Sequence, residues 1–295
     1  MPLYRPSELS AFLASVGAAP KRTLSQNFLV DGNVLSKIVS EVPRGSFVLE
    51  IGPGPGVLTE ALLEAGHNVV AVETDKVFAK ELGRLDPSGK RLTVIEADIL
   101  DCLWTQIVPK GTVLVSNLPY HITTPILERL IEQRHHIPRA VLMVQAEAAR
   151  RLTNAPSSTV GVLLGCFYEI RYGFSVSKTC FWPKPEVDSA VLCLQKRASF
   201  LDSPEEEKQL VMLVRTCFAH KRKTLFGSIR DLFPKERVAA AFQNAGISAT
   251  ARPESLSIQQ WKGLASTLAS LEGEESFQNL RSQIPFPGSP TDTGQ

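Results

Sequence analysis

Phe47-Val48-Leu49-Glu50-Ile51-Gly52-Pro53-Gly54-Pro55-Gly56 is a short apolar run that breaks into alternating glycine and proline, and residues 58–65 then read as a helix. A buried strand that turns sharply into a helix is the opening unit of a parallel α/β sheet. Three glycines let the backbone approach whatever lies over the strand ends. A dinucleotide-binding GxGxxG would need its last glycine at position 57, which is Val57, whereas Gly52, Gly54 and Gly56 form a GxGxG loop. That spacing disfavours a pyrophosphate ligand. Two stiffening prolines suit a compact ligand held in one pose.

Further buried strands are expected over residues 68–73, 92–96, 113–116 and 140–144, separated by helical stretches such as 58–65 and 125–133. This alternation predicts an α/β fold, a parallel sheet with helices on both faces. Two more apolar runs, 168–176 and 189–194, are expected as an antiparallel edge. Ahead of the sheet, Ser7 is placed to cap a helix reaching about Val16. Asp31 is placed to cap another, in which Val34, Leu35, Ile38 and Val39 share one face. The composition shifts over residues 198–207, where Ser203-Pro204 opens an acidic helix start, and beyond it the pattern is helical. The expected division is 1–198 as one domain, 199–272 as a small all-helical domain, and 273–295, rich in Pro, Ser, Gly and Gln, as a disordered tail.

With 295 residues and 43% hydrophobic content the chain can bury a full core. A formal charge of +2 does not advertise a nucleic-acid partner, but between Arg215 and Arg237 there are seven Lys or Arg and two acids. Cys102, Cys166, Cys180, Cys193 and Cys217 form no CxxC pair and have no His at metal-ligand spacing, so reduced thiols and no metal are expected. The segment MPLYRPSELS lacks the pattern of a signal peptide, and no window approaches the roughly 18 apolar residues of a membrane span. A cytoplasmic location without a membrane partner is expected.

Glu73 ends the second sheet strand, where an acid can accept from both ribose hydroxyls of an adenosyl group. Asp98, in Glu96-Ala97-Asp98-Ile99, is placed at the end of the third strand, where it could accept from an adenine amine. Asn117-Leu118-Pro119-Tyr120 puts an amide, a stiff turn and an aromatic ring at the mouth of the fourth. These are parts that can hold an adenine by its amino group. A ligand that needs ribose and adenine contacts but no pyrophosphate cradle is an adenosyl compound, with S-adenosylmethionine the obvious one.

Four stretches together, in order and spacing, carry a resemblance: residues 21–29 (KRTLSQNFL), 50–54 (EIGPG), 117–120 (NLPY) and 181–191 (FWPKPEVDSAV). They resemble the ribosomal RNA adenine dimethyltransferase family, and residues 218–225 and 252–257 resemble its bacterial small-subunit branch rather than the large-subunit one. The likeness covers about residues 8 to 265. It implies a Rossmann-like class I S-adenosylmethionine-dependent methyltransferase sheet with a helical C-terminal RNA-binding domain. It also implies a cofactor site of Asn27, Leu29, Gly52, Glu73, Asp98 and Asn117. The sequence departs from the family at Trp182, where Phe or Tyr is commoner, and at Ala146, where Lys is usual.

An adenine amino nitrogen is a poor nucleophile while its lone pair is delocalised into the ring. The Asn117 side-chain oxygen and the Leu118 carbonyl are expected to accept its two N–H groups and favour a more tetrahedral nitrogen. Tyr120, with Phe181 opposite, is expected to sandwich the extruded base. The resemblance implies, as substrate, two adjacent adenosines in the 3'-terminal hairpin of 16S rRNA within an immature small subunit, acted on by a monomer. Lys221, Arg222 and Lys223, with Arg215 and Arg230 nearby, are candidates for phosphate contacts. A dinucleotide oxidoreductase, a non-enzymatic rRNA-binding assembly factor and a 23S rRNA methyltransferase are the competing readings.

Overall fold

The computed structural model describes residues 3–21, 26–154, 157–201, 203–219, 223–230 and 232–270. Lys221, Arg222 and the tail 273–295 therefore lie outside the described residues. The described residues divide into two compact units, those within 1–154 and 167–197, and those within 155–166 and 198–270.

The first unit holds strands β1 (Phe28–Leu29), β2 (Phe47–Ile51), β3 (Asn68–Glu73), β4 (Leu92–Glu96), β5 (Val113–Asn117), β6 (Arg139–Gln145), β7 (Tyr168–Val176), β8 (Phe181–Trp182) and β9 (Ser189–Lys196). Its helices are α1 (Pro6–Ser15), α2 (Gly32–Ser40), α3 (Val57–Glu64), α4 (Lys76–Leu82), α5 (Trp104–Ile107), α6 (Thr123–Glu132) and α7 (Ala146–Asn154). Seven strands form one sheet in the order β4-β3-β2-β5-β6-β9-β7. The first five in that order are parallel, and β9 joins β6 and β7 antiparallel.

The sequence explains the sheet. Val48, Leu49, Val113, Leu114, Val115, Ala140 and Leu142 are all buried, as they must be in strands covered on both faces. Burying a side chain of this size is worth about 1.5–3 kcal/mol. Truncating Leu114, which has no exposed surface, would cost roughly 2–5 kcal/mol. From β2 the chain builds outward through β3 to β4, then returns to lay β5 on the other side of β2. The loops after β2 and β5 therefore diverge from adjacent strand ends, which opens a crevice at the carboxyl edge.

Two sequence expectations need correction, at Ser7 and Asp98. Ser7 does not cap α1. The N-cap is Arg5 with no side-chain bond, and Pro6 at the first helical position supplies the fixed dihedral and lacks the N–H a cap would satisfy. Asp31 does cap α2, accepting from the amides of Asn33 and Val34 at 2.9 and 3.1 Å. Asp98 stands two residues beyond the end of β4, in a turn where its carboxylate accepts from the Leu100 amide at 2.9 Å.

The second unit contains α8 (Thr159–Phe167), up to Cys166, together with α9 (Pro204–Ala219), α10 (Leu225–Ile229), α11 (Lys235–Asn244) and α12 (Ile258–Ser270). Residues 155–166, which the composition shift near 198 would leave in the first domain, group here. The reason is apolarity on every side. Val162, Leu163, Leu164 and Cys166 are buried, and Gly165 lets α8 lie so close to α12 that a Cβ there would stand 2.9 Å from Ile258. No described helix is long and apolar enough to cross a membrane.

Candidate active site

The crevice at the carboxyl ends of β2 and β5 encloses a cavity of about 350 Å³. Asn27 reaches it from just ahead of β1, Leu29 from β1, Gly52 from the loop after β2, Glu73 from the end of β3, and Asp98 from the turn after β4. Asn117, Leu118 and Tyr120 follow from the end of β5, and Phe181 from β8. Every candidate cofactor and base residue read from the sequence lines this one cavity. Its described lining carries three carboxylates, Glu50, Glu73 and Asp98, and no Lys or Arg. Such a wall favours a ligand that carries positive charge and hydrogen-bond donors, and it disfavours a pyrophosphate.

The glycine loop is pinned from two sides. Glu73 Oε2 accepts from the Gly54 amide and Oε1 from the Asp75 amide, both at 2.8 Å. Arg84 donates to the Pro55 carbonyl at 2.6 Å. Gly54, at φ 56°, tolerates no side chain, because a Cβ would meet the Phe28 ring at 2.9 Å. Gly52, also at positive φ, is the exposed member of the loop. Burial pushes the Glu73 carboxyl up, and the two amides hold it partly down. Each of its oxygens has one protein donor and keeps lone-pair capacity for another.

Glu50 is the residue the sequence reading passed over. It is 1% exposed, lines the cavity, and its Oε2 has no hydrogen-bond partner. Burial drives its pKa up from 4.5 to about 8; the Thr59 hydroxyl, near but without hydrogen-bond geometry, lowers it somewhat, and the charge of Glu73 raises it further. An orphaned acid of this kind fits a ligand that brings a cation or a donor with it, as an adenosyl sulfonium amino acid does. The available signal was its position: a charged residue in the middle of an otherwise apolar central strand.

The base-binding side is built by a small antiparallel pairing. In the β1–β8 ribbon Phe28 faces Trp182 and Leu29 faces Phe181, which brings the Gln-Asn-Phe-Leu segment against the Phe-Trp-Pro segment. Phe28 packs edge-on to Phe78 at 5.6 Å, and Leu29 and Phe181 join the buried core, so these residues pack and line the cavity at once. The Asn117 amide nitrogen donates to the Asn27 carbonyl at 3.1 Å. Its oxygen is thereby left as the acceptor. The Leu118 amide is tied to the Met143 carbonyl at 3.0 Å, and the Tyr120 hydroxyl lies 3.4 Å from that of Ser189.

Asp75 is a second residue missed, although its place before a helical run marks an N-cap. It caps α4 at Val77, binds Lys21 at 2.7 Å, and accepts from Gln26 at 3.5 Å. Burial raises its pKa, but the bonds from Lys21, Val77 and Gln26 outweigh that, and the carboxyl ends below its ordinary value. The group anchors the chain just ahead of Asn27. Of the candidate RNA contacts, Lys223 is exposed, next to Thr224, the N-cap of α10.

A family model described as ribosomal RNA adenine dimethylase matches residues 18–270. The ribosomal RNA small subunit methyltransferase A of Protochlamydia amoebophila is 41% identical over 92% of this chain and 99% of its own length. The crystal structure of the 23S rRNA methyltransferase ErmE aligns with a TM-score of 0.69 at 29% identity, covering 82% of this chain and all of that one. A dimethyladenosine transferase from Plasmodium falciparum aligns at 0.67 and 25% identity, over 80% and 95%.

Proposed function

This chain belongs to the ribosomal RNA adenine dimethylase family, and on that footing we propose that it methylates N6 of two adjacent adenosines in the 3'-terminal hairpin loop of 16S rRNA. It is an S-adenosylmethionine-dependent methyltransferase, and the product is N6,N6-dimethyladenosine. The substrate is an immature small ribosomal subunit, met in the cytoplasm by a monomer. The observation that carries the reading is the convergence of the candidate cofactor and base residues on one cavity at the sheet's switch point, acid-lined, without Lys or Arg in its described lining, and bordered by the Asn117 amide.

When bound, S-adenosylmethionine supplies an electrophilic methyl group on a sulfonium. The rest falls to the chain. Glu73 would accept from the ribose hydroxyls and Asp98 from the adenine amine, and Asn27, Leu29 and Gly52 would border the amino-acid end. At the target base, Asn117 Oδ1 accepts one amino hydrogen because its amide nitrogen is already committed to Asn27. The Leu118 carbonyl accepts the other. Together they draw the nitrogen lone pair out of conjugation and aim it for in-line displacement. Tyr120 and Phe181 hold the ring, with stacking worth ~1–3 kcal/mol per base. No base need act before attack, since the cationic product amine loses its proton readily to water. Alignment of the two reactants accounts for up to roughly 7–11 kcal/mol of barrier lowering. Lys221, Arg222 and Lys223 contact phosphates.

The identity to the small-subunit relative exceeds that to the 23S enzyme, which favours the small subunit as target. The test is incubation with labelled cofactor and small subunits lacking the modification, then nucleoside mapping. Label is expected at two neighbouring adenosines of the 3' hairpin. Label confined to 23S rRNA, or no transfer at all, would overturn the reading.

A further inference from the structure

A second cavity of about 600 Å³ adjoins the first and shares Gln26, Asn27 and Tyr120 with it. Its other walls come from the 182–187 turn after β8, with Gln145 and Pro20. Trp182 is 37% exposed and Val187 44%, two of the five large hydrophobic side chains that the described residues leave open to solvent, and both face this one space. Neither side chain lines the inner cavity. Phe181, by contrast, is only 5% exposed and belongs to the inner cavity. The β1–β8 ribbon explains the split, since successive strand residues point to opposite faces.

We propose that this outer cavity is a nucleotide subsite that holds the base next to the target adenine, stacked on the indole of Trp182, with its phosphate against Lys184. The proposal rests on the RNA methyltransferase reading and extends it by one residue of the substrate. Three observations support that occupant. The cavity shares Gln26, Asn27 and Tyr120 with the inner one, so a strand whose target base enters the inner cavity has its neighbouring nucleotide within reach of the outer one. Its size is in the range that takes a small ligand in a largely preformed site. Its charge suits a phosphodiester: Lys184 is exposed and makes no ion pair among the described residues, and Lys178 reaches the same turn through the Glu186 carbonyl at 3.2 Å. Glu186 opposes them on the same turn, which makes the rim one for a single bridging phosphate rather than for a polyanion. An indole face accepts any base, so the subsite fixes the register of the strand and not its sequence.

The position gives its own reporter. The chain has three tryptophans, and Trp104 and Trp261 are buried at 1% and 0% exposure, so an aqueous quencher reaches Trp182 alone. Acrylamide quenching of the full chain is measured with and without a stem-loop RNA carrying two adjacent adenosines, and with the same RNA made abasic beside the target. Methylation of undermethylated small subunits by Trp182→Ala and Trp182→Phe is measured in parallel. The subsite predicts that the intact RNA shields the tryptophan and the abasic RNA does not. It predicts a KM for small subunits about tenfold to a hundredfold higher in Trp182→Ala, with kcat and cofactor affinity within twofold of the parent, and recovery in Trp182→Phe. An unchanged KM in Trp182→Ala, with the parent enzyme active, would overturn the subsite and leave the function standing. Failure of the parent enzyme to methylate any rRNA would overturn both.

Discussion

The two adjoining cavities of the first unit share Gln26, Asn27 and Tyr120 yet differ in almost everything else. The inner one is closed by strand ends and glycine backbone, and Glu50, Glu73 and Asp98 line it without a cation. The outer one is walled by a proline-rich turn, with an exposed indole and a lysine on its rim. A cavity that must select one small cationic molecule is built from acids set on strand ends and turns, with acceptor capacity left for the ligand. One that must accept a strand of RNA is built from exposed faces and loose charges. The shared residues are where the two reactants would meet.

That contrast can be broken most decisively at the boundary. Asn117→Ala removes the amide acceptor of the inner cavity, beside the shared Asn27, and leaves the acid wall intact, so kcat should fall about 100- to 1000-fold, by analogy with loss of one positioned hydrogen-bond partner. Cofactor affinity should weaken far less, a few-fold by calorimetry, because Asn117 also ties the Asn27 carbonyl at the cofactor's edge. A variant that turned over normally at saturating cofactor would disprove the grip on the amino group.

Within the inner cavity, Glu73→Gln keeps size and one acceptor but loses the charge, and cofactor binding should weaken roughly tenfold to a hundredfold. Saturating kcat should change little. Equal affinity in a titration would remove Glu73 from the ligand's partners.

Glu50 offers a pH-dependent test. Its folded pKa of about 8 stands above the unfolded 4.5, so the folded state binds the proton more tightly. The stability tied to that proton is fully present below pH 4.5 and is lost as pH rises through about 8. The free protein's Tm should therefore fall on going from pH 6 to pH 9, and Glu50→Gln should flatten that slope and raise Tm at pH 9 by roughly 5 °C. An identical slope in the variant would mean that the acid is not neutral in the free fold.

The smallest effect is expected at Lys21, whose side chain is 52% exposed where it meets the nearly buried Asp75. Lys21→Ala should raise the KM for cofactor a few-fold, the scale of a largely exposed pair. The sign with pH is opposite to that of Glu50. The depressed pKa of Asp75 contributes stability at neutral pH, and that stability disappears as pH drops through its folded value. A variant with the parent's KM would show that the Asn27 segment holds itself in place.

The sheet was largely legible because its strands are short runs of Val, Leu, Ile and Ala set between turn residues, a pattern that burial on both faces enforces. The cavity lining was legible too, since Glu73 and Asn117 sit at strand ends and glycine marks the close approach of backbone. What escaped was whatever depends on non-local partners. Glu50 reads as part of a motif until the strand register buries it, and Asp75 reads as a cap until Lys21 and Gln26 are seen to reach it across the fold. The start of α1 was misplaced by one device, a proline taking the role assigned to Ser7. The grouping of 155–166 with the second unit follows from the apolar faces of α8, which composition near residue 198 does not report.

The claim on which the rest stands is that the acid-walled cavity accepts a sulfonium-bearing adenosyl ligand. Isothermal titration of the full chain with S-adenosylmethionine, NADH and ATP under one set of conditions tests it most directly. The account predicts one-to-one binding of S-adenosylmethionine, weakened in Glu73→Gln, and no measurable heat from the two phosphate-bearing nucleotides. Binding of NADH with equal or greater affinity, indifferent to Glu73, would contradict it.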